Sequence, residues 1–159
     1  MNATVILAVV IIGFATGLRG LTPPAVVAWC AHLGCINLGA TPFSFMSSAI
    51  AVAVFSFVAA GEYVWDLLPK TPSRTAAPGL ISRIVSGSFS AACLLAATNH
   101  SLAFCILGGA AAILGAFVGV RIRTRLVSVL GVRDAAVALP EDLVAIGLSL
   151  CAVCLIAPA

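Results

Sequence analysis

Residues 20–61 read GLTPPAVVAWCAHLGCINLGATPFSFMSSAIAVAVFSFVAAG, 42 positions without an Asp, Glu, Lys or Arg. A helix needs about 20 apolar residues to cross a hydrocarbon core of about 30 Å. A charge-free stretch of this length therefore holds two crossings and the turn between them. Three further charge-free stretches lie outside it, at 1–18, 84–120 and 143–159. The first and last each suffice for one crossing, and 84–120 for two. The expected segments are 3–18, 22–36, 42–61, 80–98, 101–120 and 141–157. The 22–36 segment is short, since fifteen residues rise only about 22 Å. A tilted half-helix and a re-entrant segment both fit it.

Composition agrees. The chain has 159 residues, 62% of them apolar and 8% charged. A soluble domain is about a quarter charged, and this chain lacks the charges to cover a water-facing surface. It is also too apolar to stay disordered. Its six Cys lie in apolar runs and are too sparse for a disulfide scaffold. The expected class is all-α: a polytopic integral membrane protein forming a single transmembrane domain over 1–159.

Turn chemistry marks the two hairpins. In the first, Gly34 to Gly39 leads to Thr41-Pro42, which reads as an N-cap and first helical residue. In the second, Thr98-Asn99-His100-Ser101 is the polar break. Six crossings bring Arg19, residues 62–83 and residues 121–142 to one face. Those clusters hold all eight Lys and Arg, so the positive-inside rule makes that face cytoplasmic, with both termini outside. A re-entrant 22–36 leaves five crossings, the amino terminus inside and Arg19 outside. The first 18 residues lack a basic leader and read as an uncleaved span. The net charge of +3 is a topology signal; no nucleic-acid-binding pattern accompanies it.

Gly13-x3-Gly17-x-Arg19 recurs as Gly115-x3-Gly119-x-Arg121. Glycines four apart make a smooth helix face that admits a neighbour closely. The recurrence suggests a degenerate repeat, 1–98 and 99–159; the alternative is chance in a glycine-rich chain, with each Arg an interfacial stop. Glu62-x3-Asp66 places two carboxylates on one helical face, near a C-terminus where the macrodipole disfavours them. Lys70, Arg74, Arg83 and Arg19 are candidate partners. Leu139-Pro140-Glu141-Asp142 reads as a helix start, where acids are favoured. Cys30-x-His32-x2-Cys35 and Cys151-x2-Cys154 have the spacing of metal or redox motifs. Without charged neighbours, these Cys read as small apolar residues, and no metal or cofactor is expected. No nucleophile–base arrangement or phosphate loop appears, so an enzyme is not expected.

The stretch Gly17-Leu18-Arg19-Gly20-Leu21-Thr22-Pro23-Pro24, then Glu62-x3-Asp66-x2-Pro69, then Arg121-x3-Arg125 and Glu141-Asp142-Leu143, resembles a family of small bacterial inner-membrane proteins. That family is catalogued as domain of unknown function 4126. Its acidic signature commonly reads Asp-Lys-x-Pro. Here Leu67-Leu68-Pro69 follows Asp66, and Lys70 lies beyond. The resemblance implies a multi-pass protein of the bacterial inner membrane and carries no activity.

Two functions are then in play. One is a small transporter or channel, plausibly homo-oligomeric, for an ion or small polar solute. Glu62, Asp66, Arg19, Glu141 and Asp142 would hold the solute, with Arg74 and Arg121 as gate or counter-charge. The other is a scaffold that binds a partner through Gly13, Gly17, Gly115 and Gly119 and through basic loops. The lipid bilayer is the surrounding partner in both.

Overall fold

The computed structural model describes residues 2–66, 76–131 and 134–157, with the side chains of 66, 130 and 134–138 outside that description. Six α-helices and no strand occur among the described residues: α1 (Ala3–Leu18), α2 (Thr22–His32), α3 (Ala49–Asp66), α4 (Ala77–Ala97), α5 (Cys105–Leu130) and α6 (Asp134–Cys154). The α4 helix, and α5 with the short turn that precedes it, are long and apolar enough to cross a membrane.

The helices alternate in direction. At one end, the tip of α1 meets the starts of α4 and α2 and the end of α3. At the other end, Asn2, Ile36, Ala97 and Leu155 line one cavity of ≈ 510 Å³. The charged side chains Arg19, Glu62, Arg83, Arg123, Glu141 and Asp142 interact with one another at the first end.

Small residues let the central helices touch. The α1 and α5 helices run parallel. A Cβ added at Gly13 would overlap the Gly108 carbonyl, one at Gly17 the Ala112 carbonyl, and one at Gly115 the Phe14 carbonyl. The α4 helix packs antiparallel on α5, where a Cβ at Gly87 would come within 2.9 Å of the Ala112 methyl. Gly119 faces Leu18 and Glu141. This small-residue packing continues into an apolar core containing Val9, Ile12, Val27, Leu94 and Leu95. Large apolar side chains also lie on the surface, while a few charged ones are enclosed. Phe57 is 80% exposed and Ile50 76%, whereas Arg19 is 1% exposed.

Several helix boundaries differ from the sequence expectation. Thr41-Pro42 starts no α-helix. The Thr41 hydroxyl donates to the Leu38 carbonyl at 2.8 Å and accepts from the Phe43 N–H at 3.2 Å, closing a local turn. A 3-10 turn over Ser44–Ser47 follows. Ser48 is the cap of α3, its hydroxyl accepting from the Ala51 N–H at 3.1 Å. The α2 helix stops at His32, and its eleven residues rise only about 16 Å. The α5 helix continues past 120 to Leu130 and ends on Gly131, whose φ of 61° suits the left-handed terminal position. Arg121 is therefore not a helix stop. Pro140 lies inside α6, so Glu141 and Asp142 are one to two turns beyond the first turn in which they were expected.

The packing gives a paired prediction. Gly115→Leu should lower the thermal midpoint of the detergent-purified protein substantially, because overpacking at a backbone contact costs about 1–3 kcal/mol or more. Gly61 and Gly147 have nothing within 4 Å of an added Cβ. Gly61→Ala and Gly147→Ala should leave the midpoint unchanged or raise it, by up to about 1 kcal/mol of helix propensity.

Candidate functional site

The site is built at the turn where the chain leaves α1 and reverses into α2. Arg19 has an extended conformation, with φ −136° and ψ 113°, and Thr22-Pro23-Pro24 starts α2 afresh. A proline has no N–H to donate into a preceding turn, so continuation of α1 is blocked. The interruption frees backbone groups that need partners in an apolar surrounding.

Three side chains from other helices supply them. The Glu62 carboxylate of α3 accepts from the Gly20 N–H at 2.9 Å and the Leu21 N–H at 2.8 Å. Arg83 of α4 donates from Nε to the Gly17 carbonyl at 3.1 Å and from a terminal nitrogen to Glu62 at 3.3 Å. The Ser86 hydroxyl donates to the Gly20 carbonyl at 2.6 Å. Glu62 thus closes the turn that leads into α2. The N-terminal dipole of α2 and the Arg83 guanidinium offset its poor position at the end of α3.

Arg19 itself turns into the bundle. It forms an ion pair with Asp142 of α6, and its guanidinium lies 4.9 Å from the centre of the Tyr63 ring, a cation–π geometry. The Arg19 and Asp142 side chains are 1% and 4% exposed. Tyr63 is also a neighbour of the Asp142 carboxylate. Glu141, the next residue, pairs with Arg123 of α5 at 3.3 Å. Two cations and two anions, Arg19, Arg83, Glu62 and Asp142, therefore share one enclosed region with formal charges that cancel.

Beside this cluster lies a groove of ≈ 380 Å³, lined by residues of α2, α3 and α6. Thr22 forms part of its wall. This residue is 5% exposed, and its hydroxyl has no hydrogen-bond partner among the described residues.

Of the residues singled out from the sequence, Arg19, Asp142 and Glu62 come together here. Glu141 lies adjacent, paired with Arg123. Arg121 is exposed on the α5 extension. Arg74 and the Asp66 side chain lie outside the described residues. Gly13, Gly17, Gly115 and Gly119 pack within the bundle. Arg83 was considered only as a partner for the acids; Tyr63, Ser86 and Thr22 were not singled out. A lone Arg after Gly79 in an otherwise apolar helix was the available signal for Arg83. In the Cys30–Cys35 motif the His32 ring nitrogen meets the Ser47 carbonyl at 2.8 Å, and no group of three or more His, Cys, Asp or Glu is gathered as for a metal among the described residues.

The family model described as Domain of unknown function (DUF4126) matches residues 6–158, and the chain belongs to that family. No curated protein and no solved structure matches it.

The buried pair has a measurable signature. Asp142→Asn should destabilise the protein by about 3–5 kcal/mol, because it strands a buried guanidinium. Arg19→Met combined with Asp142→Leu should recover most of that loss, because neither charge is then left alone. Thermal unfolding of the two variants beside wild type measures both effects. A double variant no more stable than Asp142→Asn would contradict the pairing.

Proposed function

We propose that this DUF4126 chain is a multi-pass protein of the bacterial inner membrane that passes a small polar solute or ion along the charge cluster at the α1–α2 break. The observation that carries the reading is a buried, mutually paired set of ionisable side chains at the tight turn where the chain reverses from α1 into α2. Charges within a membrane are costly and tend to mark pathways.

The six-crossing topology is part of the proposal. Alternating helix directions, an apolar exterior and charges gathered at one end all support it. The positive-inside rule makes the charged end cytoplasmic. Arg19 and Asp142 form the gate in this reading, with Glu62 and Arg83 holding the break open. Arg121 and Arg125, exposed on the α5 extension, face lipid headgroups. A homo-oligomer supplies further walls for the pathway. Chemistry on the solute is not part of the proposal. The scaffold reading draws less support, because the four glycines that would make its docking face are already covered: Gly13 and Gly17 by α5, Gly115 by α1, and Gly119 by Leu18 and Glu141.

Two experiments test these points. Cys35 is exposed in the connection after α2. With the other cysteines replaced, a membrane-impermeant maleimide should label it in cells whose outer membrane is permeabilised and whose inner membrane is intact. Labelling only after the inner membrane is broken would reverse the topology. For transport, proteoliposomes can be shrunk with amino acids, small carboxylates or alkali salts and followed by light scattering. Wild type should speed reswelling for at least one solute class, and Arg19→Met/Asp142→Leu should return it to the protein-free rate. Equal rates for wild type and that variant would remove the cluster from the pathway.

A further inference from the structure

We infer that the groove between α2, α3 and α6 is a lipid site. In it, one acyl chain of a glycerophospholipid from the leaflet at the charged end lies along α2, and its ester carbonyl accepts a hydrogen bond from Thr22. The inference rests on the membrane reading above but not on transport.

The groove has the form of a built ligand site. Its volume of ≈ 380 Å³ falls at the lower end of the usual pocket range of about 300–1,000 Å³. Ala25, Val26, Ala59, Ala60 and Ile146 give it apolar walls. One internal polar contact is already closed, the Trp29 indole N–H donating to the Ser56 hydroxyl at 3.0 Å. That leaves the Thr22 hydroxyl as the polar group of this wall that lacks a partner among the described residues. A buried hydroxyl without a partner is unfavourable, and Thr22 is too enclosed for bulk water to serve it. A ligand acceptor at that point satisfies it.

Position selects the ligand. Thr22 is three residues beyond the charged Arg19, at the end where headgroups meet the protein in the proposed topology. Trp29, seven residues further along α2, lies about 10 Å deeper. A molecule filling the groove must be polar at the Thr22 end and hydrocarbon for two turns beyond it. The ester-to-acyl region of a bilayer lipid has that polarity profile. A charged solute does not, because neither the Thr22 hydroxyl nor the apolar wall supplies a counter-ion.

Trp29 reports on its own site. The chain has two Trp, so Trp65→Phe leaves Trp29 as the sole indole. The Trp65→Phe protein in detergent is titrated with a phosphatidylcholine brominated along its acyl chains, which quenches indole fluorescence on contact. The expected result is a saturable quenching phase at low lipid mole fraction. Adding Thr22→Val should weaken that phase about fivefold, the worth of one ordinary hydrogen bond, and Thr22→Ser should restore it. Adding Ala59→Leu should abolish the phase by filling the groove. Thermal midpoints identify any variant that has lost its fold. Quenching proportional to lipid mole fraction from the start would overturn the site. So would a saturable phase indifferent to both Thr22→Val and Ala59→Leu. Lipid binding without solute flux would leave this inference standing while transport fell. Inner-membrane fractionation that finds the protein soluble would remove both.

Discussion

The structure depends on the repair of the polar backbone at one tight reversal, from α1 into α2. Between Leu18 and Leu21 the chain leaves α1 and restarts as α2 inside an apolar molecule, where water is not at hand to satisfy the backbone. Glu62 takes two freed N–H groups, and Arg83 and Ser86 take two freed carbonyls. Glu62 comes from α3, and Arg83 and Ser86 from one face of α4, so the break fixes where those helices sit. Close α1–α5 packing then follows from the glycine contacts beneath it. Without the repair, an interrupted backbone at this position would cost several unsatisfied polar groups.

The same repair concentrates charge. Glu62 and Arg83 compensate each other at the break, and Arg19, carried there by the chain, finds Asp142 and the Tyr63 ring. The result is a formally neutral cluster. A neutral cluster is stable when closed, and any solute that separates Arg19 from Asp142 must supply the charges it displaces. Neutrality also explains how Arg19 and Asp142 can stay buried.

Much of this was legible in the sequence, and the remainder has identifiable physical reasons. Charge-free stretches and loop chemistry gave α1 its bounds of 3 and 18 and placed the second hairpin at residues 98–101. The shortness of the second segment also followed from its length alone. The start of α3 was missed because Thr41-Pro42 and Ser47-Ser48 are competing start signals, and only the Ser48 hydroxyl reaches an N–H of the helix. The extent of α5 was missed because Arg121, Arg123 and Arg125 were read as a boundary. Those residues are good helix formers, and nothing breaks the helix before Gly131. At the site, Arg19, Glu62 and Asp142 stood out because charge is rare in this chain. Their pairing did not, because Arg19 and Asp142 are brought together by tertiary packing. Thr22 carried no sequence signal apart from its place before two prolines.

The central claim is that the cluster at the α1–α2 break binds a solute. Its most direct test is thermal unfolding of the purified protein against a panel of ions, amino acids and small carboxylates. Wild type is compared with the charge-free Arg19→Met/Asp142→Leu variant. A ligand at a hundredfold excess over its dissociation constant adds about 2.7 kcal/mol to the folded state. At least one solute class should raise the wild-type midpoint and leave that of the variant unmoved. A panel that shifts neither protein, or shifts both equally, would contradict a binding role for the cluster.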